Sequence, residues 1–134
     1  MSRKGLLLVG HGSKLAYNKE LIEKTAAHIA DQHPEYLVRP GFMSMNTPTV
    51  EDALNLFKED EIEMLVVVPL FLAKGIHILK DIPALLGLPE GEKKGLFAHT
   101  TGEIPLVYAN PIGPDPLLAD LMVKNAEDAI NAEV

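Results

Sequence analysis

The chain has 134 residues, 47% hydrophobic and 23% charged, which is room for one domain with a packed core and too little for two. A formal net charge of −7, no tryptophan and only 5% aromatics argue against a nucleic-acid binder, which needs a basic face and stacking platforms. The lack of cysteine excludes disulfides, thiolate metal sites, iron–sulfur clusters and cysteine nucleophiles, and it fits a reducing cytoplasm.

Met1-Ser2-Arg3-Lys4 leads into an apolar run, residues 6–9, too short for a signal-peptide core or a membrane span. The sequence therefore predicts a cytoplasmic protein with no membrane segment. Residues 5–10 form a continuous apolar run bounded by glycines, the pattern of a buried parallel strand. Residues 14–32 read as a helix whose stripe is Ile22, Ala26 and Ile29, closed by Pro34.

Residues 36–43 read as a second strand, placed at an edge by Pro40, which cannot donate to a ladder. Thr49 and Asp52 resemble a capping box, with Pro48 in the first turn of a helix running through Ala53, Leu54 and Phe57. Residues 64–70 are β-branched and fully apolar, which predicts a central strand. A loop over residues 72–75 precedes a helix over about residues 76–86, within which Pro83 must be accommodated.

Residues 88–103 hold glycines, a proline and mixed charges, and read as a mobile loop. Residues 104–109 form the fourth expected strand and residues 110–114 a turn. Asp115 starts a last helix with the stripe Leu118, Met122, Ala126 and Ala129. The expected fold class is α/β: a single flavodoxin-like domain over residues 1–134. Its four-stranded parallel sheet, order 2-1-3-4, carries helices on both faces.

In such a sheet, ligands bind beyond the carboxyl ends of the strands where the strand order reverses. That point lies between the first and third strands, and each of the two loops there carries one histidine, His11 and His77. Gly10-His11-Gly12-Ser13 permits a sharp turn and close approach of a ligand, and Ser13 is placed to cap the following helix and offer its amides to an anion. It is neither a Walker A motif nor a dinucleotide fingerprint. Phe71-Leu72-Ala73-Lys74-Gly75 supplies an apolar ledge, a cation and flexible backbone, which suits a flat, largely apolar ligand with anionic substituents.

The remaining candidates have plainer readings. His28 falls on a solvent face, His33 at a helix end, and His99 in the irregular loop, from which it could visit a bound metal. Met43 and Met45 offer thioethers but read as packing; Glu51 and Asp52 offer carboxylates but suit a helix start.

The segments Leu7-Leu8-Val9-Gly10-His11-Gly12-Ser13, Val66-Val67-Val68-Pro69-Leu70-Phe71-Leu72-Ala73-Lys74-Gly75-Ile76-His77, Asp81-Ile82-Pro83-Ala84-Leu85-Leu86-Gly87 and Pro111-Ile112-Gly113 together resemble the small-form sirohydrochlorin chelatases of the class II chelatase family. The resemblance runs over nearly the whole chain, and it is the order and spacing of the segments that make it specific. It implies that His11 and His77 bind the metal and that His11 also accepts protons. It implies that Thr47, Leu72, Ala73, Lys74, Gly75, Ile76 and His77 line the tetrapyrrole, with Ser13 and Lys74 near its carboxylates. The metal, Co2+ or Ni2+, is then a substrate, and no organic cofactor is expected. Larger family members fuse two such halves, so a symmetric homodimer with the active site at or near its interface is expected.

Three rival readings stay open on the residues themselves. One is a flavodoxin-like module for a phosphate-bearing cofactor, held at Gly12-Ser13. Another is a metal-delivery protein that does not catalyse. A receiver-like signalling domain is disfavoured, since Pro69 stands where it needs an aspartate.

Overall fold

A computed structural model describes residues 3–132 of the chain. Met1 and Ser2 lie outside the described residues, as do Glu133 and Val134. Ten elements follow one another along the described residues. The strands are β1 (Arg3–Gly10), β2 (Tyr36–Phe42), β3 (Ile62–Pro69), β4 (Lys94–His99) and β5 (Gly102–Tyr108). The helices are α1 (Ala16–Gln32), α2 (Val50–Phe57), α3 (Ile82–Leu86) and α4 (Pro116–Asn131), with a π-helical turn, His77–Asp81, leading into α3.

The sheet has five strands in the order β2-β1-β3-β5-β4, not four in the order 2-1-3-4. β2, β1, β3 and β5 are parallel, and β4 pairs antiparallel with β5. The extra strand lies in the segment expected to be an irregular loop. Lys94 to His99 pair residue for residue with Gly102 to Val107, closed by a tight turn at Thr100-Thr101. Gly102 takes a φ of 122°, which glycine adopts without strain. Phe97 turns inward and is 8% exposed, so this outer hairpin contributes to the core.

Side chains alternate between the two faces along β1, with Leu6 and Leu8 entering one cluster and Leu7 and Val9 the other. Both faces of β1 are covered, which is why its sequence is an unbroken apolar run. One cluster packs Ile22 and Ala26 of α1 with Phe42. The other packs Val50, Ala53 and Phe57 of α2 with Leu65, Val67, Ile78, Ile82 and Leu106.

The capping box at α2 is present: the Thr49 hydroxyl accepts from the Asp52 amide and the Asp52 carboxylate from the Thr49 amide, both at 3.0 Å. The helix starts at Val50, so Pro48 precedes the cap and does not sit in the first turn. α4 departs further from expectation. Asp115 caps it, accepting from the Leu117 amide at 2.9 Å, but no residue of the helix is buried. The stripe of Leu118, Met122, Ala126 and Ala129 is thus not packed on the core of its own chain. Among the described residues no helix is long and apolar enough to cross a membrane.

Candidate metal centre

Strand order reverses between β1 and β3, and both histidine loops leave the sheet there at the carboxyl ends. The Leu70 amide bonds the Val9 carbonyl at 2.8 Å, which extends the β1–β3 ladder to the foot of both loops. His11 follows β1 directly. His77 opens the π-turn that follows the 70–76 loop. The two imidazoles meet: their Nε2 atoms are 3.2 Å apart and their ring centroids 4.8 Å, with the planes at 72°.

The partners of the other ring nitrogens assign the tautomers. His11 Nδ1 lies 3.0 Å from the Gly12 carbonyl, which can only accept, so Nδ1 carries the hydrogen. His77 Nδ1 lies 2.8 Å from the Asp81 carboxylate, which as an anion also only accepts. With both rings neutral, both Nε2 atoms present lone pairs to the same point. Two lone pairs at this separation repel unless a cation sits between them. Bonds of about 2.0–2.1 Å from each nitrogen to one ion would subtend roughly 100° at the metal, an ordinary angle for adjacent ligands.

The His11 loop is held from below. Gly12 has a φ of 90°, and a Cβ there would overlap the Ser44 carbonyl, so only glycine fits. The Met43 amide bonds Gly10 and the Ser44 amide bonds His11, tying the exit of β2 alongside. The Gly12 amide donates to Asn18 Oδ1 and the Ser13 amide to Asn46 Oδ1, each at 2.9 Å. Ser13 does not cap α1. The N-cap is Leu15, and the Ser13 hydroxyl accepts from the Leu15 amide at 3.2 Å. The two amides expected to receive a carboxylate or phosphate are thus already paired, which removes the main support for a phosphate-binding module.

The His77 loop is fastened from the β5 side. The Ile112 amide bonds the Phe71 carbonyl at 2.9 Å and the Gly113 amide bonds the Leu72 carbonyl at 2.7 Å. The Phe71 ring then stands 6.4 Å from the His11 ring and 6.3 Å from the His77 ring, an aromatic wall behind both. Pro83 has no amide to continue the π-turn, and the carbonyl left over, Ile78, accepts instead from the Tyr108 hydroxyl at 2.9 Å. Burial pushes the Tyr108 phenol up to about 12.

An open cavity of about 450 Å³ lies in front of the pair, lined by His11, Met43, Ser44, His77, Asp81, Ala84 and Leu85. Leu72, Ala73, Lys74, Gly75 and Ile76 are exposed but not among its lining residues, with Leu72 and Ile76 showing more than half of their surface. Ala73 and Lys74 line a second cavity of about 450 Å³ with Asn110, Pro111, Ile112, Gly113 and Pro114. Thr47 is exposed and forms no part of either wall. His99 is elsewhere: its Nε2 donates to the Asp60 carbonyl at 2.6 Å and its Nδ1 accepts from the Thr101 amide, so it braces the β4–β5 hairpin. His28 and His33 are exposed on and after α1. Of the two methionines, Met43 lines the main cavity and Met45 is exposed.

Sequence reasoning missed Met43, Ser44, Asp81, Ala84 and Leu85 as lining residues, and Asn18 and Asn46 as supports. Asp81 alone carried a readable signal, four residues after His77 on an expected helix. Among the described residues, no group of three or more His, Asp or Glu side chains gathers to hold an ion. The site is two imidazoles with open positions.

An open α/β sheet with two converging imidazoles at its strand reversal places a candidate ligand site at the carboxyl ends of its strands. Comparison makes the class specific: the CbiX family model matches residues 5–129, and the chain belongs to that family. It is 44% identical over 126 residues to the sirohydrochlorin cobaltochelatase of Methanosarcina acetivorans, covering 94% of this chain and 96% of the relative. It is 42% identical over 131 residues to that of Methanococcoides burtonii, covering 97% and 100%. Among solved structures, a CbiX protein from Marinobacter aquaeolei superposes with a TM-score of 0.67 at 25% identity, over 95% of this chain and 97% of that one. A multi-domain Deinococcus radiodurans protein with structural similarity to chelatases shares the fold, with a TM-score of 0.74 at 23% identity, over 96% of this chain and 29% of that one.

Proposed function

We propose that this protein inserts Co2+ into sirohydrochlorin, with Ni2+ as an alternative substrate metal. The observation that carries the reading is the 3.2 Å separation of the two Nε2 atoms, each a lone pair by its tautomer, at the mouth of the sheet. Relatives named sirohydrochlorin cobaltochelatase at 42–44% identity over nearly the whole chain support the substrate. Imidazole suits both cobalt and nickel.

Metallation exchanges one divalent ion for the two N–H protons of the ring. His11 and His77 hold the ion by two bonds and leave its other positions to the ring nitrogens. A complete cage would bind too tightly to let go. As the ion passes to the ring, a lone pair is released on each imidazole. His11 takes up one pyrrole proton there as general base, and the other leaves to the freed His77 nitrogen or to water. Leu72, Ile76 and Phe71 offer apolar surface to the macrocycle. Lys74, with no ion pair among the described residues, faces its carboxylates. In this reading Thr47, exposed outside both cavities, also contacts the macrocycle.

The chain supplies one half of the cleft, and a second copy completes it. Two features support this. The apolar residues Leu117, Leu121, Met122, Val123 and Ile130 of α4 are 53–79% exposed. The sheet face opposite the larger cluster, carrying Val66, Val68 and Val107, is only half-buried. A helix without a partner and the β3–β5 part of a face that α1 covers only over β1 and β2 fit each other across a two-fold axis, the isologous arrangement most homodimers use. The compartment in this reading is the cytoplasm.

The test is one assay: purified protein, sirohydrochlorin, and Co2+ or Ni2+ in turn, followed by the absorbance change on metallation. Catalysed insertion is expected. Binding of Co2+ without any acceleration of insertion would make the protein a metal carrier and overturn the enzymatic reading.

A further inference from the structure

We infer that Asp81 is a positioning residue for the metal: it fixes the His77 ring in the Nδ1–H form and aims Nε2 at His11. The inference rests on the reading that His77 is a metal ligand. Its geometry is on one turn. His77 and Asp81 are the first and last residues of the π-turn, four apart, which places them on the same face. The carboxylate oxygen Oδ2 lies 2.8 Å from His77 Nδ1. Between them Ile78, and after them Ile82, are buried at 2% and 0% exposure, so the turn is nailed to the core and the pair cannot drift together.

Folding does not account for this pair. Its side chains are 39% and 47% exposed, and an exposed side-chain contact of this kind adds little to stability, commonly about 0–1 kcal/mol. Ligand chemistry does account for it. An imidazole whose distal N–H donates to a carboxylate is held in one tautomer and one orientation, and is a stronger donor at its other nitrogen. His11 is held by the Gly12 carbonyl instead, a neutral acceptor on its own loop. The two ligands are therefore unequal. His77, backed by a charge, is the firmer anchor for the incoming ion.

The test uses the full-length protein, Co2+ alone as probe, and the variants Asp81→Ala and Asp81→Asn. The readouts are the Co2+ dissociation constant from visible absorbance, and the His77 tautomer in metal-free protein from 15N–1H correlations. Asp81→Ala is expected to weaken Co2+ binding about 10–100-fold and to move His77 toward the Nε2–H form, with no change in thermal midpoint. Asp81→Asn keeps an oxygen acceptor, so it should retain the Nδ1–H form and recover part of the affinity. A wild-type tautomer in Asp81→Ala, or an Asn variant as impaired as Ala in both readouts, overturns the inference. Because the tautomer is read without metal, that outcome is independent of the ligand assignment. The ligand assignment fails separately if His77→Ala binds Co2+ as the wild type does.

Discussion

The Tyr108 hydroxyl donates to the Ile78 carbonyl at 2.9 Å, linking the end of β5 to the turn that carries His77. Pro83 makes this bond necessary, because its missing amide leaves that carbonyl without a partner inside the helix. Tyr108 is 3% exposed, so neither group has water as an alternative. Tyr108→Phe leaves a buried acceptor unpaired and should cost about 1–3 kcal/mol at neutral pH. Chemical denaturation of the two proteins side by side measures it. A change below a few tenths of a kcal/mol would contradict the account.

The same residue predicts an alkaline limit. Burial raises the Tyr108 phenol to about 12, whereas in the unfolded chain it ionises near 10. Below pH 10 both states are protonated and the contribution is intact. Between 10 and 12 the unfolded state loses its proton first, so stability falls as pH rises, by on the order of 2–3 kcal/mol in all. Tyr108→Phe lacks this term. Its stability should therefore decline less steeply than the wild type's over that window, and parallel declines would show that Tyr108 does not cause the loss.

The two histidines should fail differently. His11→Ala removes a metal ligand together with the proton acceptor, so insertion should fall by at least the roughly 10²–10⁴-fold typical of a lost general base. His77→Ala removes a ligand and should mainly raise the Co2+ concentration needed for half-maximal rate. Both side chains are partly or fully exposed, so circular dichroism should be unchanged. Equal losses in the same kinetic parameter would show that the roles are not divided.

Gly12→Ala tests the loop rather than the chemistry. An alanine there needs a positive φ, at about 1–2 kcal/mol, and its methyl meets the Ser44 carbonyl. The loop must move away from the β2 exit, breaking the bonds of Ser44 and Asn46 and carrying His11 with it. Loss of Co2+ binding with His11 still present is the expected result. Wild-type affinity would mean that the loop tolerates displacement.

What could be read from the sequence was whatever depends on local pattern. The run at residues 5–10, the β-branched run of β3 and the Thr49–Asp52 box each specify their element without help from distant residues. The convergence of His11 and His77 followed from topology, since the reversal at β1 and β3 was expected even though the strand count was not. The β4–β5 hairpin was hidden because Lys94, Leu96 and Ala98 all face outward, leaving Phe97 as the only fully inward side chain. Thr100-Thr101-Gly102 was its legible trace, a short turn with glycine between two runs. The fate of the Gly12 and Ser13 amides was not legible at all. Asn46 lies 33 residues from Ser13, and only the folded β2–α2 loop brings its carboxamide there.

α4 shows the same boundary between pattern and partner, and it gives the last prediction. Its amphipathic stripe was readable, yet no residue of the helix is buried in its own chain. If the helix serves a second copy, the wild type should run at about twice 14.6 kDa in light scattering. Leu121→Glu with Met122→Glu should then run as a monomer. Both side chains are more than half exposed, so the charges meet only water in a single chain and circular dichroism should be preserved. Insertion activity should drop with the loss of the dimer, because each copy supplies half of the cleft. The competing arrangement has α4 folding back on its own sheet. In that case the double variant would lower the thermal midpoint of a protein that was monomeric throughout. A monomeric wild type with full insertion activity would end the half-site reading, while leaving the assignment of His11 and His77 standing.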